Sequence, residues 1–193
     1  MKVAFLGPEG TYTHQAALER YNNMEPVPCQ SIRESIETGH TAVIPFENSL
    51  GGGVGEAIDL LREKDLKITG EVRIEIKHVL AGRSGEEIKE VVSHPQALSQ
   101  CRDKIEENGW SEVEASSTAA AAKDLEPHQA AICSELAAEI NGLDVIDRDI
   151  HDTEENTTRF LVIEGEETDG EKTSLILEPS EDRPGILDSM LTC

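Results

Sequence analysis

Short apolar runs alternate with stretches of helical spacing along most of the chain. The runs KVAFLG (2–7), TAVIPF (41–46), EVVS (90–93) and AAIC (130–133) are typical of buried strands, and helical patterns follow them. Chains with this strand–helix order pack helices on the faces of a sheet. The pattern therefore predicts an α/β fold with largely parallel sheets.

One stretch alternates with a period of two residues instead. In EVRIEIKHVL (71–80) every second residue up to Ile76 is apolar, which predicts a strand with one solvated face. Because this strand lies between two strand–helix series, we interpret it as a crossing between two lobes. LDVIDRDI (143–150) and TRFLVIEG (158–165) would make the return crossing. The predicted lobes cover about 1–75 plus 158–165 and about 80–150.

The end of the sequence has a different character. GEETDGEK (165–172) is polar and contains two glycines, so it predicts a linker, which we place at 166–171. KTSLILEP (172–179) then predicts a strand. Pro184 marks the expected first turn of a helix in RPGILDSML (183–191), because proline is favoured there.

The charge of the chain excludes several classes of partner. The 193 residues carry a formal net charge of −22, with a pI of about 4.5. So acidic a chain is a poor binder of nucleic-acid phosphates and of anionic membrane surfaces. We interpret the excess of Glu over Lys as a solvated acidic shell of the salt-adapted kind, although an ordinary acidic cytosolic protein remains the alternative. Aromatic residues make up 3%, so aliphatic side chains must fill the core.

Cysteine spacing and the first residues give the expected compartment. None of the four cysteines belongs to a CxxC pair, so neither a zinc site nor a disulfide framework is predicted; they are Cys29, Cys101, Cys133 and Cys193. Met1 runs directly into a predicted strand without a signal-peptide pattern, and no apolar run approaches membrane-spanning length. We therefore expect a cytoplasmic protein with reduced thiols and no bound metal.

Polar stretches follow the first two of these strands where helices begin. GPEGTYT (7–13) places Thr11 at a helix start, whose free N–H groups suit a carboxylate or phosphate. PFENSLGGGVGEA (45–57) offers Asn48 and Ser49 beside glycines around Gly52, which permit close approach of a ligand. Taken alone, a turn with a helix cap or a flexible loop explains each stretch at least as well.

Two further polar stretches occupy equivalent places in the second half. SHPQALSQC (93–101) begins with Ser93 and His94, and His94 is either an acid–base group or a helix cap. SSTAAAA (116–122) places Thr118 at the start of an alanine-rich helix, where capping alone would explain it.

The stretch ENTTRF (155–160) is a fifth polar site. Asn156, Thr158 and Arg159 directly precede a buried strand. Arg159 could form an ordinary surface ion pair in so acidic a chain, but a guanidinium is also the best bidentate partner for a carboxylate. Together, the five small-polar clusters predict a cleft for an anion with several oxygens.

These stretches, in this order, resemble the prephenate dehydratase family over essentially the whole chain. The motifs that carry the resemblance are GPEGTYTHQAA, VIPFENSLGGGVGEAIDLL, VVSHPQALSQC, SSTAAAA, AAICSELAA and, above all, NTTRFLVI. From residue 172, KTSLILEPSEDRPGIL is similar to the start of the regulatory ACT domain.

The resemblance implies a fold, a reaction and a domain order. The fold would be two α/β lobes with a cleft, like type II periplasmic binding proteins, over residues 1–165. The reaction would convert prephenate to phenylpyruvate, carbon dioxide and water in phenylalanine biosynthesis, with no cofactor or metal. Residues 172–193 would supply only the start of an ACT domain, so phenylalanine is expected as an effector only if a complete ACT domain is present.

The resemblance also implies roles for individual residues. Thr158 would contact the leaving hydroxyl, Arg159 would pair with a carboxylate, and Phe160 would pack under the ring. The expected substrate-binding residues are Thr11, Asn48, Ser49, Gly52, Ser93, Thr118 and Asn156. We expect a homodimer or homotetramer.

Two alternatives stay open from the sequence. The same chemistry on arogenate would make the chain an arogenate dehydratase. A non-catalytic protein of the same two-lobed fold would instead bind a small aromatic carboxylate without turnover.

Overall fold

Two mixed β-sheets organise the chain into two lobes. The computed structural model of the protein describes residues 1–153, 156–165, 173–177, 179 and 183–192. The strands of the first sheet are β1 (Lys2–Leu6), β2 (Glu25–Cys29), β3 (Thr41–Asn48), β4 (Gly52–Gly53), β5 (Ile68–Glu75) and β11 (Thr157–Ile163). The strands of the second are β6 (Val79–Gly82), β7 (Glu90–Ser93), β8 (Ser111–Glu114), β9 (Gln129–Cys133) and β10 (Asp144–Asp147).

Helices cover the sheets at the places that the apolar spacing predicts. The first lobe has α1 (Tyr12–Arg20), α2 (Ile32–Glu37) and α3 (Gly55–Glu63). The second has α4 (Pro95–Gln100), α5 (Arg102–Asn108), α6 (Thr118–Ala121) and α7 (Glu135–Ile140). Short polar side chains cap most of these helices; Ser31, for example, accepts a hydrogen bond from the Glu34 N–H at 3.0 Å, as the sequence suggests.

The chain crosses between the sheets twice. It leaves the first sheet after Glu75 and enters the second at Val79, and it returns between Asp147 and Thr157. The strand order is β2-β1-β3-β11-β5, with β4 paired to β3, in the first sheet, and β10-β6-β9-β7-β8 in the second. The predicted two-lobed α/β fold with two crossings is therefore confirmed.

The expectation of largely parallel sheets is wrong. In the described residues, β1 pairs in parallel with β2 and β3, and β7 with β8 and β9, whereas every pairing of β4, β5, β6, β10 and β11 is antiparallel. Parallel neighbours need a crossover connection, which the strand–helix units provide. Apart from the short β4, the antiparallel strands are those that carry the chain between the lobes.

Mainly aliphatic side chains fill both faces of each sheet, as the scarcity of aromatics requires, although Phe5 and Phe160 lie in the core of the first lobe. In the first lobe, Phe5, Val43 and Phe160 lie on one face, and Ile44 and Leu161 lie on the other. The second lobe buries small residues of α6 and α7 against β6 and β9, and larger ones of α4 and α5 against the opposite face. No helix within the described ranges has the length and apolarity that crossing a membrane would require.

The end of the chain differs from its sequence-based prediction. The described part of the expected strand, residues 173–177 and 179, has no regular structure. The helix is α8 (Ile186–Leu191), and Pro184 lies in the turn before it instead of in its first turn. Gly185 precedes the helix with φ 79°, a conformation that glycine adopts freely, so the helix begins only after it. The predicted linker at 166–171 lies outside the described residues.

Candidate active site

Three polar side chains meet at the ends of two neighbouring strands of the first lobe. Asn48 ends β3 and is paired in register with Thr158 on β11, and Asn156 immediately precedes β11. The Asn48 amide nitrogen Nδ2 donates to Asn156 Oδ1 at 2.7 Å and to Thr158 Oγ1 at 2.9 Å. Asn156 and Thr158 are only 3% and 9% exposed. The structure thus gathers three of the sequence-predicted site residues into one cluster.

The backbone fixes the orientation of the Asn48 amide. Its Oδ1 accepts hydrogen bonds from the N–H groups of Leu50 at 3.0 Å and Gly51 at 2.8 Å, so its Nδ2 must face the other two side chains. Thr158 Oγ1 is therefore an acceptor from Asn48, and no described residue accepts the Thr158 hydroxyl proton. That proton is available to a ligand in the junction between the lobes.

The cluster continues across the junction into the second lobe. Asn156 Nδ2 donates to Oε1 of Gln100, the last residue of α4, at 3.3 Å, and His78 Nε2 lies 3.0 Å from the same oxygen. His78 Nδ1 lies 2.9 Å from the hydroxyl of Tyr12, on α1, and that hydroxyl also lies 2.7 Å from the Lys77 carbonyl. One connected set of hydrogen bonds thus joins both lobes and a crossing segment.

Sequence reasoning missed Gln100, His78 and Tyr12. All three lie in or beside quoted motifs, but their proximity depends on how two lobes and a crossing segment meet. The helical pattern predicted for SHPQALSQC could have indicated Gln100, a polar residue directly before a buried cysteine. Nothing local in the sequence pairs it with His78.

Burial tunes the titratable groups around this set. Burial lowers the pKa of His78 below its usual value, although the hydrogen bond to Gln100 opposes this effect. Burial raises the pKa of Tyr12 well above its usual value. Burial also raises the pKa of Cys101, next to Gln100, to about 12, so its thiol stays protonated and is unsuited to act as a nucleophile.

Arg159 does not join the cluster. Strand alternation directs its side chain to the opposite face from Thr158, where its Nε and Nη2 both lie 2.7 Å from Glu71 Oε2. Its guanidinium also lies 5.4 Å from the centre of the Phe46 ring. Arg159 is thus paired within its own lobe in this structure, and its expected role in binding a carboxylate stays a prediction.

The remaining hydroxyl groups differ in what they can offer a ligand. Thr11 caps α1 and donates its proton to the Leu6 carbonyl at 3.0 Å, and Ser93 donates to the Ile132 carbonyl at 2.6 Å. Both protons are therefore donated to backbone carbonyl groups in this structure, and the expected substrate-binding roles of the two residues stay predictions. Thr118 is the first residue of α6, whose cap is Ser117.

Other predicted positions have mainly architectural contacts. Ser49 Oγ accepts from the Thr157 N–H at 3.0 Å, which ties the loop after β3 to β11. Gly52 lies in β4 with φ 76°. Phe160 is 1% exposed and packs in the core of the first lobe. His94 caps α4 by accepting from the Gln96 N–H at 3.2 Å, which supports its reading as a helix cap.

A second contact joins the lobes beside Tyr12. Ser134, the cap of α7, donates to the Gly10 carbonyl at 2.6 Å. A Cβ at Gly10 would lie 2.9 Å from the Ala137 Cα, and Gly10 has φ 88°, so only glycine fits. Gly10 therefore serves the approach of the two lobes, whereas a Cβ at Gly7 would lie 2.9 Å from Pro28 Cβ within the first lobe.

Two mixed α/β lobes, joined by two crossing segments and by polar side chains that converge at their junction, define a two-lobed α/β protein of the type II periplasmic-binding-protein-like fold. The family model of prephenate dehydratase matches residues 3–168. The chain therefore belongs to the prephenate dehydratase family.

Individual relatives agree with this assignment. Prephenate dehydratase of Methanocaldococcus jannaschii is 36% identical over 207 residues, which cover 98% of this chain and 76% of that protein. Arogenate dehydratase/prephenate dehydratase 2 of Arabidopsis thaliana is 37% identical over 204 residues, 97% of this chain and 53% of that protein. The chain thus spans about half the length of several curated relatives that it matches.

A solved structure extends the likeness to three dimensions. The prephenate dehydratase of Arthrobacter aurescens in complex with L-Phe superposes with a TM-score of 0.83 and is 32% identical. The match covers 99% of this chain and 71% of that one.

Proposed function

We propose that this chain catalyses the decarboxylating dehydration of prephenate to phenylpyruvate. In this reaction the bond to the ring carboxylate breaks, its electron pair becomes part of the aromatic ring, and the ring C–O bond breaks at the opposite carbon. The dianion gives phenylpyruvate, carbon dioxide and hydroxide, and the hydroxide takes one proton to become water. Aromatisation supplies much of the driving force, so the protein must mainly orient the substrate and help the hydroxyl to leave.

The observation that carries the proposal is the direction of the hydrogen bond between Asn48 and Thr158. Because Thr158 Oγ1 accepts from Asn48 Nδ2, the Thr158 proton can be donated to the departing hydroxyl. The bond from Asn48 also polarises the Thr158 hydroxyl and makes it a better donor. An unactivated threonine is a poor general acid, so we assign it polarisation and orientation of the leaving group and not complete proton transfer.

Gln100 is a second candidate for substrate contact. Its Oε1 lies within hydrogen-bond distance of Asn156 and His78, and no described residue accepts from its amide NH₂ group. That group is suited to donate to a substrate oxygen. The half-buried Thr118 and the exposed Ser49 are further proposed donors, whereas Thr11 and Ser93 would act by holding the backbone around the site.

The carboxylate partner expected in Arg159 stays a prediction. The guanidinium would have to exchange Glu71 for a substrate carboxylate or share itself between the two. Whichever group holds the side-chain carboxylate, the scissile carboxylate should remain weakly paired. Tight pairing would stabilise the charge that the reaction removes and would raise the barrier.

Turnover of prephenate by the purified protein tests the proposal. Phenylpyruvate is followed by its absorbance and carbon dioxide by trapping, with heat-denatured protein as the control. One molecule of each product is expected per molecule of prephenate consumed. No phenylpyruvate above the control rate would contradict the proposal, and calorimetric binding of phenylpyruvate without turnover would favour the non-catalytic binding protein.

Arogenate is a second candidate substrate, because a relative bears both names. The two substrates undergo the same ring chemistry and differ only in the side chain, which is an amino acid in arogenate and a keto acid in prephenate. Competition between them, with phenylalanine and phenylpyruvate measured together, gives the ratio of kcat/KM. We propose that the ratio favours prephenate, and a ratio that favours arogenate would reassign the substrate.

Assembly into a homodimer or homotetramer is also proposed on the family resemblance. Sedimentation equilibrium of the purified protein tests it, and a monomer at micromolar concentration would contradict it.

A further inference from the structure

The hydrogen bonds at the lobe junction have a direction that one end determines. Backbone N–H groups of Leu50 and Gly51 cannot act as acceptors, so they hold Asn48 Oδ1 and turn Asn48 Nδ2 outward. Asn156 must then present Oδ1 to Asn48 and Nδ2 to Gln100. Gln100 must in turn present Oε1 to Asn156. Reversing any one of these amides would oppose two donors or two acceptors.

This direction determines which nitrogen of His78 carries a proton. Gln100 Oε1 is a carbonyl oxygen with no hydrogen to give, and it lies 3.0 Å from His78 Nε2. His78 Nε2 must therefore be protonated and donate to Gln100. Burial disfavours the imidazolium form of His78, which leaves the neutral ring with an unprotonated Nδ1.

The free nitrogen of His78 faces the opposite lobe. Nδ1 lies 2.9 Å from the hydroxyl of Tyr12, and the two rings make an edge contact with centroids 5.8 Å apart. The single proton of this hydroxyl is shared between two acceptors, His78 Nδ1 and the Lys77 carbonyl oxygen 2.7 Å away. Tyr12 belongs to α1 of the first lobe, Gln100 to α4 of the second, and His78 to the crossing segment between β5 and β6. The imidazole thus connects the two lobes at the point where the chain passes between them.

We propose that His78, held by Tyr12, is a positioning residue that fixes the Gln100 side-chain amide with its NH₂ group toward the substrate. The inference rests on the proposed function only in that Gln100 meets the substrate. Without the His78 donor, only the 3.3 Å bond from Asn156 would fix the amide orientation. The amide could then rotate and present its carbonyl oxygen to an anionic substrate, which would repel it.

Two replacements of His78 separate its two contacts. Glutamine places an amide nitrogen near the position of the ring Nε2, so His78→Gln retains a donor for Gln100 and loses the Tyr12 contact. Asparagine places its terminal atoms near the position of Nδ1, so His78→Asn retains a partner for Tyr12 and loses the donor. We expect His78→Asn to lower kcat/KM by roughly 10- to 100-fold, as for the loss of other supporting hydrogen bonds, and His78→Gln to recover most of that loss.

Thermal unfolding of both variants controls for general destabilisation, since both replace the buried ring. Equal losses of kcat/KM in the two variants at equal stability would overturn the proposal, as would wild-type kinetics in His78→Asn. Tyr12→Phe gives an independent check. It should lower kcat/KM in the wild-type background and have no further effect in His78→Asn, where the connection to Gln100 is already broken; additive losses would contradict the linkage.

The tautomer of His78 provides a readout that does not require turnover. Long-range ¹H–¹⁵N correlation NMR near neutral pH distinguishes the two ring nitrogens, and the spectrum of His78→Gln identifies the His78 signals. A neutral ring protonated at Nε2 is expected. A ring protonated at Nδ1 would overturn the inference even if prephenate is turned over, whereas the expected tautomer without turnover would contradict the proposed function and leave the hydrogen-bond assignment supported.

Discussion

Replacing Asn48 by aspartate tests the direction of the hydrogen bonds around Thr158 with almost no change of shape. Asn48→Asp retains the oxygen that accepts from the Leu50 and Gly51 N–H groups, so the loop after β3 keeps its anchor. It replaces Nδ2 by a second oxygen that faces Asn156 Oδ1 and Thr158 Oγ1. Thr158 would then donate its proton to the new carboxylate, and that proton would no longer be available to the leaving hydroxyl.

The expected loss follows from the contacts that disappear. A hydrogen-bond donor aimed at charge that develops in the transition state contributes about 3 kcal/mol. Each 1.36 kcal/mol changes a rate tenfold, so kcat should fall by roughly 100-fold. The contact with Thr158 is reversed and not lost, whereas the bond from Nδ2 to Asn156 disappears, so the free energy of unfolding should fall by about 1 kcal/mol.

Asn48→Ala is the informative companion variant. It loses the two contacts of Nδ2 and also the two backbone contacts of Oδ1, so it should be less stable than Asn48→Asp. It nevertheless leaves the Thr158 proton free, so it should retain the higher kcat. Urea unfolding of both variants measures which is the more stable, and steady-state kinetics on prephenate measure which has the higher kcat. An Asn48→Asp enzyme with kcat within a few fold of wild type, or above that of Asn48→Ala, would refute the reasoning.

Three other predictions address the remaining charges. Arg159→Lys should lower the free energy of unfolding by about 1 kcal/mol, because an ammonium cannot make both bonds to Glu71. It should also lower kcat/KM, while Glu71→Gln should not. Equal kcat/KM in wild type and both variants would show that Arg159 has only a structural role. The melting temperature should rise between low and about 1 M potassium chloride, where the Debye length falls to about 3 Å and the net charge of −22 is screened; a flat or falling value would contradict salt adaptation. Burial lowers the pKa of His78 in the folded protein, so His78 of the unfolded chain takes up a proton first as the pH falls below about 6.5, and this favours unfolding. In urea unfolding, wild type should therefore lose more stability than His78→Gln between about pH 7.5 and 5.5. Equal losses would contradict a buried neutral ring.

Local patterns in the sequence predict much of this fold. The apolar runs locate nearly all of the strands, and the cap residues Ser31 and Thr11 mark helix starts that the structure has. β2 escaped prediction because Pro26 and Pro28 argue against a central strand; it lies at the edge of its sheet, where missing N–H donors are tolerated. The pairing directions also escaped prediction, since they depend on how the crossing strands enter each sheet.

The candidate site also contains residues that local sequence patterns predict and residues that they do not. Asn48, Asn156 and Thr158 could be predicted because strand ends and family motifs place them there. Gln100 and His78 could not, because their contact joins residues from two separate elements across the lobe junction. The motif alone does not predict the surroundings of Arg159. Adjacent side chains in a strand point to opposite faces, so the neighbour of a site residue can lie in a different environment.

The most direct test of the account compares two adjacent threonines of β11. Thr158→Val removes the hydroxyl that accepts from Asn48 and preserves the shape of the side chain. Thr157→Val makes the same chemical change one residue away, on the opposite face of the strand. We expect kcat on prephenate to fall by roughly 100-fold in Thr158→Val, with a smaller change in KM, and to stay close to the wild-type value in Thr157→Val. Equal kcat in the two variants would contradict the assignment of Thr158 to the leaving hydroxyl.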